Sequence, residues 1–80
     1  MRVKVYGTGE CPDTRECLAA YEEKKLEFDF VDISHLDGLK AFLAIRDTDP
    51  LYASIRGAGR VGIPMIEIGE RRTLDWESLL

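Results

Sequence analysis

The chain has 80 residues, 45% of them apolar, with a net charge of −4 and two cysteines; that length fits one domain, residues 1–80, and at this size a chain buries only roughly 60% of its unfolded surface, enough for one two-layer core but not for a large internal cavity. The acidic balance argues against nucleic acid as a partner, and no apolar run approaches the ~18 residues of a membrane span. The opening MRVKVYG does not read as a signal peptide, and two cysteines without an export signal point to thiol chemistry in a reducing compartment, so a cytoplasmic location is expected.

Val3 and Val5 alternate with Arg2 and Lys4, and Tyr6 continues the run, which predicts a strand ending at Gly7. A loop follows over residues 7–10. Pro12 suits the first position of a helix, where its missing N–H costs nothing, and Asp13 sits where the helix dipole favours negative charge. Cys17, Leu18 and Tyr21 keep helical spacing, and Lys24-Lys25 close the helix with the right sign of charge. Phe28, Phe30, Val31 and Ile33 predict a second strand. Ser34 and Asp37 resemble a capping box, with Asp in place of Glu, for a second helix whose apolar face is Leu36, Leu39, Phe42, Leu43 and Ile45. Pro50 interrupts that helix, a further short turn runs from Leu51 to Ile55, and Gly57, Gly59 and Gly62 make a loop.

Pro64 opens a third strand, Met65 to Ile68. Gly69-Glu70 turns into a short fourth strand, about Arg71 to Thr73, and Asp75 or Thr73 caps a final short helix ending at Leu80. The order is β-α-β-α-β-β-α, without repeats or linkers. The β-α-β unit implies parallel strands with a right-handed crossover, and the closing hairpin is antiparallel. The expected architecture is a mixed four-stranded sheet flanked by helices.

The chemistry concentrates in GTGECPDTREC, residues 7–17. Cys11 stands just before a helix, near the free N–H groups of its first turn, those of Asp13 and Thr14. Those donors and the dipole, worth roughly 0.3–2 kcal/mol, favour the nucleophilic thiolate. The Thr14 hydroxyl offers one further hydrogen bond to the sulfur, while Glu10 and Asp13 oppose its charge. Six residues of helix rise about 9 Å, beyond the ~7 Å between Cα atoms that a disulfide tolerates, so Cys17 reads as a buried helix residue and any resolving thiol comes from outside. Read on its own, Pro64 is an ordinary strand-opening proline, His35 is a solvated residue at a helix start, and Trp76 fastens the last helix to the sheet. The glycines of GAGRVG lack the ending of a phosphate loop.

Taken together, VKVYG, CPDT, FDFVDIS and VGIPMIEIG resemble the glutaredoxin family, on the thioredoxin-like fold, over roughly residues 1–70. CPDT and RDTDP, residues 46–50, look most like small bacterial-type glutaredoxin-related proteins. The resemblance implies reduction of disulfides, chiefly mixed disulfides with glutathione, through Cys11. It implies that Ile63 offers its backbone to the substrate, that the Ile63–Pro64 bond is cis, and that Pro12 and Asp75 contribute to the substrate surface. Thr14 stands where the second cysteine usually lies, so a monothiol mechanism is expected. The family's lysine before the cysteine is missing from Gly7-Thr8-Gly9-Glu10, Gly62 replaces a threonine, and Leu74-Asp75-Trp76-Glu77 replaces the late Gly-Gly-x-Asp motif. Glutathione's two carboxylates would therefore meet Glu10 and Asp75, with Arg56, Arg60, Arg71 or Arg72 as the candidate cation.

The expected partner is a disulfide-containing protein or a glutathione mixed disulfide, acting on a monomer with glutathione as co-substrate and no bound cofactor or metal. Two alternatives stay open: a thioredoxin-like module that binds extended peptides without catalysis, and, more weakly, a dimeric iron–sulfur carrier using Cys11 and external thiols.

Overall fold

Two adjacent residues in the first strand, Val5 and Tyr6, are both buried and point to opposite faces, so the sheet they belong to must be covered on both sides. The computed structural model describes residues 2–80. Strand β1 (Val3–Gly7) leads into helix α1 (Pro12–Glu23), then β2 (Phe28–Asp32) and α2 (Leu36–Arg46). A short 3-10 turn, Pro50–Tyr52, precedes β3 (Met65–Ile68), β4 (Arg71–Thr73) and a terminal 3-10 helix, Trp76–Leu79. The four strands form one sheet in the order β2-β1-β3-β4. β1 runs parallel to β2 and antiparallel to β3, and β3 and β4 form the antiparallel hairpin. The result is an α/β protein with a mixed four-stranded open sheet and two α-helices. None of its described helices is long and apolar enough to cross a membrane.

The register explains the layering. Val5 pairs with Ile66, and both face α1 in a cluster with Val3, Cys17 and Tyr21. Tyr6 pairs with Met65, and both face the other way, against Phe42, Tyr52 and Ile55. The expected two-layer core is therefore corrected to two thin cores, one on each face. Aromatic edges lock both: Tyr21 meets Trp76 at 6.2 Å between ring centres, and Phe42 meets Tyr52 at 5.8 Å. The Tyr21 hydroxyl donates to the Trp76 carbonyl at 2.7 Å, which fixes the terminal 3-10 helix over α1.

Several local details differ from the sequence reading. The last helix is 3-10, and Asp75 at its start makes no side-chain cap; instead the Thr73 hydroxyl accepts from the Asp75 N–H at 2.9 Å. Ser34 does not cap α2. Asp32 captures both the Ser34 N–H (2.9 Å) and hydroxyl (2.7 Å), so the chain turns once more and α2 starts after His35. α1 stops in a Schellman arrangement, with Lys25 N–H on the Glu22 carbonyl (3.0 Å) and Leu26 N–H on the Tyr21 carbonyl (2.9 Å). That geometry puts Lys25 at φ 58°, where glycine is usual.

Two outcomes follow from these features. A left-handed non-glycine residue costs ~1–2 kcal/mol, and glycine's extra freedom in the unfolded chain returns ~0.5–1. Lys25→Gly is thus expected to stabilise the fold by about 0.5–1 kcal/mol, read as a higher urea midpoint with an unchanged slope. Burial pushes the Cys17 thiol up to about 11, against the smaller opposing effect of its hydrogen bond with Tyr21. An unfolded cysteine ionises near ~8.5, so between roughly that pH and 11 the unfolded chain loses its proton first and stability falls as pH rises. Burial raises Tyr21 and Tyr52 as well, extending the loss to higher pH. Urea unfolding at stepped pH should show this decline, and Cys17→Ala should flatten its earliest part.

Candidate functional site

The loop after β1 is short and tightly tied. The Cys11 N–H donates to the Thr8 carbonyl at 3.0 Å, the Thr8 hydroxyl accepts from Glu10 N–H at 3.3 Å, and Arg15 reaches back to the Gly9 carbonyl at 2.6 Å. Cys11 is left as the N-cap of α1, extended at φ −91° and ψ 120°, with its carbonyl accepting from Arg15 N–H at 3.1 Å. Cys11 is partly exposed and free, while Cys17 is free and buried.

A second segment lies beside this one. Residues 60–63 form the far wall of the groove and run into β3 through a cis Ile63–Pro64 peptide, with Pro64 itself buried. Guanidinium groups hold the wall in place. Arg46 of α2 donates to the carbonyls of Val61 (3.0 Å) and Arg60 (2.6 Å), and Arg56 donates to those of Arg46 (2.6 Å) and Asp49 (3.2 Å). The Tyr52 hydroxyl donates to the Gly62 carbonyl at 2.7 Å. Gly62 has φ 83°, and a Cβ there would run into the Tyr52 ring, so both conformation and space demand glycine.

Between the two segments lies a groove of about 430 Å³ lined by Thr8, Glu10, Cys11, Asp13 and the stretch Arg60 to Ile63. Cys11 and Ile63 thus come together as the sequence suggested, with Pro64 directly behind. Pro12, at the first helical position, is exposed and is not a lining residue of the groove. Asp75 is exposed at the start of the terminal 3-10 helix, which packs on the α1 side of the sheet, and it does not line the groove either.

Thr14 is the largest departure. One helical turn past Cys11 its side chain points inward, beneath Gly7, and it is wholly buried with its hydroxyl unpartnered. It makes no hydrogen bond to the Cys11 sulfur. Nor does Cys11 accept a side-chain cap bond from the first turn. What the helix start supplies to the sulfur is its dipole rather than a discrete bond.

Among the candidate cations the structure makes a choice. Arg72 bridges Asp49 (2.8 Å) and Glu67 (2.7 Å). Accepting from Leu51 N–H and from Arg72 holds Asp49 below the usual carboxylate range. Arg56 is spent on carbonyls, and Arg71 is exposed on β4. Arg60 alone of the four lines the groove. Asp13 and Val61 were not singled out as groove residues by sequence; the glycines around Arg60 and Val61 were the available signal. His35, exposed, sits 3.4 Å from Asp32 as a solvated helix-start residue, and Trp76 packs on Tyr21 away from the groove. No cluster of three or more metal-ligating side chains occurs among the described residues. No family model, curated protein or solved structure matches the chain.

Thr14 yields a test of its own. A buried unpaired hydroxyl costs about 1–3 kcal/mol, and valine has the same branched shape without it. Thr14→Val is expected to stabilise the protein by about 1 kcal/mol, measured by urea unfolding; a loss of stability would mean that the hydroxyl has a partner.

Proposed function

We propose that the protein is a thiol–disulfide oxidoreductase of glutaredoxin type on a thioredoxin-like fold, working through Cys11 alone. The observation that carries this reading is one groove shared by a partly exposed thiol at a helix start and the Gly62–Ile63 backbone, with the other sulfur buried elsewhere. The four-stranded sheet order supports the same reading.

The chemistry is an exchange. The Cys11 thiolate attacks one sulfur of a substrate disulfide, that S–S bond breaks, and the other sulfur leaves as a thiolate and takes a proton from water. Cys11 is then held in a mixed disulfide. An external low-molecular-weight thiol such as glutathione attacks it, is itself oxidised to a disulfide, and returns Cys11. Cys17 cannot serve as the resolving thiol because reaching it would require unpacking α1 from Val5 and Ile66 of the sheet. Ile63 precedes the β1–β3 ladder, whose first pair is Tyr6–Met65, so β1 leaves its backbone open to an extended substrate. Glu10 and Asp13 in the groove favour the second reading, a peptide-binding module without catalysis, since both oppose a thiolate.

Exposure to glutathione disulfide at neutral pH separates the two. Mass spectrometry of digests should find a single adduct, on Cys11 and not on Cys17, absent from Cys11→Ser and removed by added glutathione. A folded protein that takes no adduct at Cys11 would leave the binding module as the better reading.

A further inference from the structure

We propose that the disulfide attacked by Cys11 is carried on a polypeptide, which seats an apolar side chain in a second groove and a carboxylate against Arg60. This rests on Cys11 being the attacking thiol. The second groove, about 490 Å³, lies between Leu39, Phe42 and Leu43 of α2 and the glycines at 57 and 59. Arg60 and Val61 line both grooves, so the two adjoin at that short ridge. Val61 is 52% exposed and Leu43 39%, which leaves apolar surface at the ridge and on the far wall.

Charge divides the surface. The Cys11 groove holds Glu10 and Asp13 beside Arg60, whereas the second groove is lined by Arg46 and Arg60 with no carboxylate, on a chain of net charge −4. Arg46 is committed to the ridge's own carbonyls, so Arg60 is the cation left for a ligand. A small anionic disulfide such as glutathione disulfide, confined to the Cys11 groove, meets the like charges of Glu10 and Asp13 and covers neither Leu39 nor Leu43. An extended chain crossing the ridge covers that apolar surface and sets its acid by Arg60.

The test uses short peptides whose one cysteine is capped by thionitrobenzoate. Attack by Cys11 on the peptide sulfur forms the mixed disulfide and releases coloured thionitrobenzoate with the bond's electron pair. Two peptides differ only in the flanking pair, Leu and Glu in one, Ser and Lys in the other. Wild-type protein should release the chromophore at least about tenfold faster from the first, in the range that one filled apolar contact gives. Leu43→Ser should bring the ratio of the two rates towards one, and Arg60→Glu should do so through the charge; the ratio cancels any general loss of folded protein. Equal rates from both peptides in the wild type, or a rate from the equivalent glutathione compound matching the better peptide, would overturn the inference and leave single-cysteine exchange intact. Release from none of these reagents would remove both. A dimer that Leu43→Ser dissociates would assign the groove to a second copy and overturn the peptide assignment.

Discussion

Gly7 has no side chain, and Thr14 fills the space where one would be. A Cβ on Gly7 would come within 2.6 Å of the Thr14 hydroxyl and 2.7 Å of its methyl. This contact brings the end of the central strand against the first turn of α1, three residues from Cys11. With it go the short loop of residues 8–10 and the extended backbone at Cys11, where α1 begins. The wall opposite is positioned by β3, which pairs with the same strand, so both sides of the groove are referred to β1.

The arginines show how an acidic chain of this size keeps its irregular segments in place. Loops outside a sheet or helix leave carbonyls without partners, and buried or half-buried carbonyls need one. Here Arg15, Arg46 and Arg56 donate to the carbonyls of Gly9, Val61, Arg60, Arg46 and Asp49. A planar guanidinium with several donors suits that task better than a lysine. Arg72 plays a related part between Asp49 and Glu67, joining the 3-10 turn to the hairpin. The two walls of the Cys11 groove are therefore braced by side chains from outside it, and Arg60 is conspicuous for contributing only its carbonyl to this bracing.

Sequence reading recovered β1 and β3 because their apolar runs and flanking glycines are local signals, and β4 because the Gly69-Glu70 turn returns the chain beside β3. It also recovered the burial of Cys17 and, by resemblance rather than by physics, the approach of Ile63 to Cys11. It misplaced what depends on tertiary partners. Ser34 looked like a cap because nothing local reveals that Asp32 takes its hydroxyl first. Thr14 looked like a partner for the sulfur because spacing says which turn a residue occupies and not how closely the strand end approaches it. Asp75 was drawn to the groove by a motif that the chain does not contain, whereas the Trp76 ring on Tyr21 and the Tyr21 hydroxyl on the Trp76 carbonyl hold that segment clear of the groove. Choosing Arg60 among four arginines needed the coordinates, since each of the others is used or displaced by contacts distant in sequence.

The seclusion of Cys17 has a use that needs no added label. With its side chain packed among Val5, Tyr21 and Ile66, only an excursion that lifts α1 from the sheet admits a reagent to that atom. Its slow capture by an alkylating agent, counted beside the capture of the partly exposed Cys11, would act as an internal clock for native-state opening. One molecule would then report both the availability of Cys11 and the lifetime of the scaffold that presents it.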